Sequence, residues 1–267
     1  MYRTLVEIVR KSLIFTWTKR RLFLLLLLLQ LLPPYTSSGY HLSQWGMVNA
    51  YILTHTTKGR YAAFFPLFQL LPLVFIFTLV LYGNRFAKAF FLFGAVSFVL
   101  MAFLQSISIS KQFGLAVCIG NLVTTLAVSG FWFWEALKLR GDFTWHKPPI
   151  WKYWALPLAL LAFWEPVHPI TLLPDFQPFL FLTSGSGLAF CLVTPLYLAV
   201  LTLYFPRVHI TVPLVTSFVG MMLGLGNLAL EFILLPAYWW IGILHVPLLI
   251  ISCYTFFYLV YHHTNPA

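Results

Sequence analysis

The sequence predicts an all-α integral membrane protein, a polytopic helical bundle of about eight transmembrane helices preceded by an amphipathic basic helix. Two observations predict this fold class. The 267 residues are 61% hydrophobic and only 8% charged, whereas a soluble globular domain carries about 25% charged residues. The apolar residues also fall into repeated runs, most of which approach the roughly 20 residues that a helix needs to cross a bilayer.

The first segment, residues 1–21, predicts a helix that lies in the membrane interface. Apolar residues such as Leu5 and Leu13 share this segment with basic residues such as Arg10 and Lys11. An amphipathic basic helix of this kind binds anionic lipid headgroups. We therefore divide the chain into an interfacial helix, residues 1–21, and a single transmembrane helical domain, residues 22–267.

Eight apolar runs follow in this domain, separated by polar, basic or proline-containing connections. The shortest is the leucine-rich first run, and the sequence leaves open whether residues 22–34 cross the bilayer completely. The predicted spans are 22–32, 61–82, 89–109, 113–137, 150–164, 179–204, 212–236 and 238–260.

The distribution of basic residues predicts the orientation of these spans. With eight spans and a cytoplasmic N-terminus, thirteen of the sixteen Lys and Arg residues fall on the cytoplasmic side and three on the other. The three are Lys58, Arg60 and Lys111. Because cytoplasmic loops of membrane proteins are enriched in Lys and Arg, this bias favours both termini in the cytoplasm.

The seventh span carries a stripe of small and polar residues on one helical face. Gly220, Gly224, Asn227 and Glu231 follow the spacing i, i+4, i+7, i+11, which places them one above another. Small residues let neighbouring helices approach closely, and an amide can form hydrogen bonds across the contact. Glu231 has two interpretations: a structural hydrogen bond near a helix end, or a functional carboxylate at membrane depth.

A second group of residues predicts a possible catalytic site at the non-cytoplasmic side. Glu165, His168, Asp175 and Glu231 form the main concentration of acidic residues with a histidine in the sequence. Carboxylates near an imidazole can perform general acid–base chemistry. The simpler interpretation is that a polar loop and helix ends need such residues. No standard catalytic sequence motif is present to support an enzyme.

A third group predicts polar helix faces that converge on a ligand-binding cavity. The candidate ligand-binding residues are Gln69, Gln105, Asn121, Asn227 and His245. Each lies within an apolar run, where an uncharged polar side chain either bonds to a neighbouring helix or faces a cavity. Their identity does not decide between these two roles.

Metal, haem and nucleic-acid sites have little support in the sequence. The three cysteines lie separately inside apolar runs, so we expect buried structural thiols and no metal site. Only His245 lies well inside a span, which argues against a haem with two histidine ligands. The cofactor stays unknown, and no basic aromatic surface for nucleic acid is discernible.

Two functional hypotheses remain. The first is a non-catalytic membrane component, either a subunit of a larger membrane complex or a small-molecule carrier, with membrane lipids and possibly other membrane subunits as partners. The alternative is an intramembrane enzyme that acts on a lipid or isoprenoid substrate through the acid and histidine cluster. Proximity of Glu231 to His168 would favour the enzyme, and separation would remove its basis.

Overall fold

The computed structural model describes residues 20–264 as a bundle that is 74% helical, which confirms the predicted all-α class. The predicted interfacial helix over residues 1–21 lies almost wholly outside the described residues. Ten helices, numbered in chain order within the described range, form the bundle: α1 over residues 20–30, α2 Trp45–Thr54, α3 Phe65–Tyr82, α4 Asn84–Ser106, α5 Ile119–Lys138, α6 Ala155–Trp164, α7 Leu180–Thr183, α8 Phe190–Tyr204, α9 Thr211–Ala229 and α10 Trp239–Thr264.

Short irregular helical turns connect several of these helices. The 3₁₀ turns are Leu42–Gln44, Thr57–Phe64, Ile150–Trp154, Ser186–Leu188 and Pro236–Tyr238, and a π-helical turn spans Leu230–Leu234. Turns of this kind often mark functional positions in helices, because they displace side chains from the regular helical face.

A small antiparallel sheet, which the sequence analysis did not predict, lies at one end of the bundle. Its strands are β1 (Tyr35–Thr36), β2 (Ile107–Ser110) and β3 (Gly114–Val117), in the order β1-β3-β2. The hairpin β2–β3 occupies residues that we assigned to the third and fourth spans. The physical reason is the alternation of β-branched Ile with Ser in β2, followed by a turn that ends at Gly114, whose φ is +63°.

The loops of the bundle gather at its two ends. At the end that we call the loop end, the Asp142 N–H donates to the Arg207 carbonyl, and the Phe143 N–H donates to the Asn84 side chain. At the opposite sheet end, which carries β1–β3, Lys58 donates to the Gly185 carbonyl. The basic residues Arg85, Lys138, Arg140 and Arg207 belong to segments that meet at or adjoin the loop end.

The core of the bundle surrounds α8 and Trp132. All fifteen residues of α8 are buried, as expected for a helix that is apolar on every face. Trp132 of α5 is fully buried, with ring centroids 5.3 Å from Phe98 and 5.2 Å from Tyr197, and its Nε1 donates to Thr216 Oγ1 at 3.0 Å. Aromatic packing therefore joins α4, α5 and α8, and a hydrogen bond adds α9.

Several helices are long and apolar enough to cross a membrane, but eight spans are not supported. Within residues 20–264, four segments meet this criterion, or five if a bent pair counts as one span. The four are Leu42–Tyr82, Asn84–Ser106, Thr211–Leu234 and Pro236–His262, and the pair is Leu180–Leu188 with Phe190–Tyr204.

The predicted spans that fail have helices that are short, bent or not apolar enough. The helix of the fourth run, Ile119–Lys138, has 20 residues but does not meet the criterion. The described part of the first run is helical only over residues 20–30, and the fifth run forms only the short helix Ile150–Trp164. The sixth run is interrupted by a bend of 91° between its two parts. Large apolar side chains on the outer surface, such as Phe77 and Phe257, nevertheless fit a lipid environment.

Candidate functional site

The small and polar stripe of α9 packs against α10, as its spacing predicts. A Cβ added to Gly224 would lie 3.3 Å from the Leu249 Cβ, and one added to Gly220 would collide with the Ser252 hydroxyl. Glycine therefore permits the close approach of these two helices. The close packing of α9 on α10 brings the C-terminal end of the stripe, Asn227 and Glu231, toward α8 and α10.

Glu231 forms a buried pair with His245 at the end of α9. The His245 Nδ1 lies 2.8 Å from the Glu231 Oε2. Glu231 stands in the π-helical turn, and on α10 the facing residue Gly242 leaves the space in which its side chain reaches His245. The carboxylate at membrane depth is therefore not isolated, because an imidazole from the neighbouring helix is its partner.

Two further side chains complete this cluster. The Asn227 Nδ2 donates to the Cys191 Sγ at 2.9 Å. Cys191 and His245 also line the same cavity. Cys191, Asn227, Glu231 and His245, which we call the His245 cluster, thus join α8, α9, the π-helical turn and α10.

The His245 cluster borders a cavity of about 390 Å³, which we call the polar cavity. Its size falls within the range of about 300–1,000 Å³ that is typical of small-molecule sites. Besides the cluster, the polar and charged residues that line it include Lys58, Gln105, Asn121, Thr125 and Glu165. The lining therefore includes two carboxylates, one ammonium and several neutral hydrogen-bonding groups.

A second cavity of about 400 Å³, which we call the apolar cavity, adjoins the first. The two cavities share five lining residues: Leu53, Asn121, Leu223, Asn227 and Leu230. The remaining lining of this cavity is mostly aliphatic or small, with two further amides, Gln30 and Asn49. It includes Ile233 and Leu234, which are exposed on the outer surface of the bundle. A ligand that fills both cavities would place a polar part beside His245 and an apolar part toward the lipid.

The structure brings together four of the five predicted ligand-binding residues. Gln105, Asn121, Asn227 and His245 all line the polar cavity. Gln105 and Asn121 also have partners outside it, because the Gln105 Oε1 accepts from the Phe190 N–H at 2.7 Å and the Asn121 Oδ1 accepts from the Gln30 amide at 2.8 Å.

Gln69 lies elsewhere, in a buried network at the bend before α8. Its Nε2 donates to the Ser184 hydroxyl, and its Oε1 accepts from the Ser186 hydroxyl at 2.9 Å. Gln69 is fully buried and takes no part in the lining of either cavity. Its polar side chain holds the interrupted helix in place.

The four predicted catalytic residues divide into two pairs. Glu165 and Glu231 line the polar cavity, whereas His168 and Asp175 belong to the loop between α6 and α7. His168 accepts the N–H groups of Ile170 and Thr171 through its Nδ1, and Asp175 accepts the N–H of Gln177. These two side chains stabilise their own loop, so the predicted four-residue group does not form one site.

Glu165 has an unusual conformation at the end of α6. Its φ of 53° places it in the left-handed region, where it ends the helix before Pro166. Among the described residues its Oε2 is buried without a hydrogen-bond partner. A carboxylate beside the polar cavity with one such oxygen adds negative charge that a ligand could balance.

Sequence reasoning missed Cys191 and Lys58 as members of the site. We expected Cys191 to be a structural thiol, because spacing pairs it with no other cysteine or histidine. Its hydrogen-bond partner, Asn227, is 36 positions further along the chain. The run Ser184–Gly187 was the sequence feature that could have indicated the position of Cys191. It marks the break that turns the first residues of α8 toward the cavity.

The described residues contain no group of three or more His, Cys, Asp and Glu side chains arranged to hold a metal ion. Comparison with known proteins finds no matching family model, no similar curated protein and no similar solved structure. The function must therefore be inferred from the geometry of the two cavities and of the His245 cluster.

Proposed function

We propose that this protein is a membrane carrier that binds a small polar molecule in the polar cavity. The observation that supports this function is the convergence of polar side chains from α4, α5, α8, α9 and α10 on one cavity inside an apolar bundle. Polar and ionisable residues within membrane helices are costly, and they usually mark a pathway or a binding site.

The breaks in the helices around this cavity also support a carrier. The cavity is bordered by Ala189 and Phe190, where the chain bends by 91° into α8, and by Leu230 and Glu231 of the π-helical turn. Transporters commonly build their binding sites from discontinuous helices, because the freed backbone groups can contact the solute. The two breaks therefore place irregular backbone beside the polar side chains.

The Glu231–His245 pair suggests how binding is coupled to protons. A carboxylate and an imidazole in contact can share and exchange a proton, and such pairs form proton relays in membrane transporters. In this proposal, binding or release of the solute changes the protonation of the pair. Lys58 and Glu165, at the sheet end of the cavity, contact the charged groups of the solute.

We further propose that the loop end faces the cytoplasm. Its basic residues, including Arg85, Arg140 and Arg207, would then follow the cytoplasmic enrichment of positive charge and contact anionic headgroups. The polar cavity would lie nearer the non-cytoplasmic side. A catalytic site made of Glu165, His168, Asp175 and Glu231 is not part of this proposal, because two of its members stabilise a separate loop.

Access to the cavity from both sides of the membrane tests the carrier function without knowledge of the solute. Cys118, Cys191 and Cys253 are replaced by Ala, and Thr125→Cys then places one thiol on the cavity wall. A charged, membrane-impermeant methanethiosulfonate is applied to sealed vesicles of each orientation. A carrier that alternates between two open states exposes this thiol from both sides.

Three matched variants calibrate the labelling. Ser38→Cys marks the sheet end, Lys147→Cys marks the loop end, and Phe257→Cys places a thiol on the lipid-facing surface, where Phe257 is 64% exposed. The first two should react from one side each, and the third should react poorly from either side. Labelling of the Thr125→Cys variant from one side only, or from neither, would favour a fixed component of a larger membrane complex.

A further inference from the structure

A separate cavity of about 290 Å³ lies at the loop end, between the outer face of α5 and the start of α9. It shares no lining residue with the polar cavity or the apolar cavity. We call it the loop-end groove, and its lining residues are Ala127, Gly130, Phe131, Trp134, Arg140 and Thr211.

One side of the groove is a single apolar face of α5. Ala127, Gly130, Phe131 and Trp134 follow the spacing i, i+3, i+4, i+7, which places them one above another. At 1.5 Å per residue, this face is about 10 Å long. A Cβ added to Gly130 would meet no atom within 4 Å, so the face is open along its length.

The neighbouring span indicates the depth of the groove in the membrane. Thr211–Leu234 is long and apolar enough to cross a bilayer, so Thr211 lies near the level of the headgroups. Trp134 is 50% exposed, and the Lys138 ammonium lies 5.4 Å from its ring centroid. Tryptophan is enriched at the membrane interface. The groove therefore runs from the headgroup level toward the apolar core of the bilayer.

Arg140 forms the polar end of the groove, and a buried carboxylate holds it in place. The Arg140 Nε and Nη2 donate to the Glu135 Oε2 at 3.1 and 2.7 Å. The Glu135 side chain is 2% exposed and the Arg140 side chain 34%. A guanidinium has five N–H donors. The two bonds to Glu135 leave three of them for a ligand.

Thr211 adds a neutral donor beside this guanidinium. Its backbone N–H donates to the His209 Nδ1 at 3.4 Å, but its hydroxyl has no hydrogen-bond partner within residues 20–264. A planar guanidinium matches the geometry of phosphate oxygens, and a hydroxyl can donate to the same group. The polar end of the groove thus fits a phosphate, and its other end fits an aliphatic chain.

We propose that the loop-end groove binds one anionic glycerophospholipid. Its phosphate contacts Arg140 and Thr211, and one acyl chain lies along the face of α5 that contains Gly130. Glu135 is a positioning residue that holds the guanidinium. This site goes beyond the carrier function, and it gives one lipid molecule a defined place among those that the basic loop end attracts.

The test is native mass spectrometry of the full chain in mild detergent with added dioleoyl phosphatidylglycerol or dioleoyl phosphatidylcholine. We expect one phosphatidylglycerol per chain, bound at least about fivefold more tightly than phosphatidylcholine. Arg140→Gln should weaken the binding of phosphatidylglycerol at least about fivefold, which corresponds to one basic residue at an anionic surface. Arg85→Gln removes the same charge from the loop end outside the groove, and it should leave this binding unchanged.

A second variant tests the groove without altering any charge or the Arg140–Glu135 pair. Gly130→Phe places an aromatic ring in the space that the acyl chain would occupy, so it should abolish the tight binding of phosphatidylglycerol. Gly59→Phe is the matched control, because Gly59 lies at the sheet end and a Cβ there would also meet no atom within 4 Å. This control should bind phosphatidylglycerol as the wild type does.

Three results would overturn the proposal. The first is equal binding of the two lipids by the wild type, which would indicate general lipid contact. The second is an equal loss of phosphatidylglycerol in Arg85→Gln and Arg140→Gln, which would indicate diffuse charge attraction. The third is unchanged binding in Gly130→Phe. None of these results depends on the polar cavity, so the carrier function is tested separately.

Discussion

Helical spacing predicts which face of a helix a residue occupies, but it does not predict which residue of another helix that side chain contacts. Gly220, Gly224 and Glu231 meet α10 on one face, as helical spacing predicts, whereas Asn227 bonds to Cys191 of α8. The hydrogen bond between Asn227 and Cys191 does not follow from spacing, because it depends on how α8 and α9 pack. A residue's own helix face can thus be predicted from sequence, but its partner on another helix cannot.

Gly94 provides a test of packing at the scale of one residue. A Cβ at this position would collide with the ring of Trp132, which is fully buried and held by Thr216. Gly94→Ala should therefore lower the free energy of unfolding by about 1–3 kcal/mol, as overpacking of a core does. Unfolding of the purified protein in mixed micelles, followed by tryptophan fluorescence, measures this change.

Gly130 is the matched control for this substitution. It also lies within a helix, α5, but a Cβ at its position would meet no atom within 4 Å. Gly130→Ala should be neutral or stabilising by up to about 1 kcal/mol, because alanine favours a helix more than glycine does. Equal destabilisation by both substitutions would contradict the packing around Trp132.

At the scale of elements, apolar runs predict helices well but do not reveal where a helix breaks. The run 113–137 is apolar throughout, yet its first residues form β3 and its helix begins at Ile119. The run 179–204 contains the Ser-Gly-Ser-Gly segment, which permits a break without fixing its angle of 91°. Breaks depend on the partners that satisfy the freed backbone groups, and those partners are distant in sequence.

The break before α8 depends on Gln69, which allows a test at this scale. Its side chain bonds to Ser184 and Ser186, the residues on either side of Gly185. Gln69→Ala should lower the free energy of unfolding by about 1–3 kcal/mol, because it removes the buried hydrogen bonds of this amide to Ser184, Ser186 and the Phe163 carbonyl. The same micelle unfolding measurement applies.

Thr78→Ala on the same helix, α3, is the control for Gln69→Ala. The Thr78 hydroxyl bonds only to the carbonyls of Val74 and Phe75 in its own helix, and no contact with another helix is lost. Its substitution should change the stability by less than about 0.5 kcal/mol. If Gln69→Ala proved equally mild, the network at the bend would not be what holds α8 in place.

At the scale of the whole molecule, the class of the protein follows from composition, but the number of spans does not. Four to five helices are long and apolar enough to cross a membrane in the described residues, fewer than the eight predicted runs. The apolar segment Ile150–Trp164 packs against α8 and α10, but it is shorter than the roughly 20 residues that a span needs.

Hydrogen bonds at the loop end make the stability of the whole bundle sensitive to acid. The N–H and hydroxyl of Thr144 and the amide of Asn84 donate to Asp142 and lower the pKa of its carboxyl from 3.8 to about 2. A lowered pKa means that the folded state favours the ionised carboxylate. This contribution to stability is present above pH 3.8 and is lost as the pH falls toward 2.

Asp142→Asn should therefore make the free energy of unfolding less sensitive to acid. Between pH 4 and pH 2 the wild type should lose more stability than the variant, because only the wild type must protonate this carboxylate on acidification. Unfolding midpoints measured across this range would show the two curves converging. Parallel curves would contradict the assignment of this acid sensitivity to Asp142.

The proposed binding site depends on the buried contact between Glu231 and His245. A double-mutant cycle of Glu231→Ala, His245→Ala and the double variant, measured by unfolding in mixed micelles, tests it most directly. Residues in contact should show a coupling free energy of about 0.5–3 kcal/mol. Effects of the two substitutions that add to within about 0.5 kcal/mol would contradict the contact, and with it the polar cavity as a functional site.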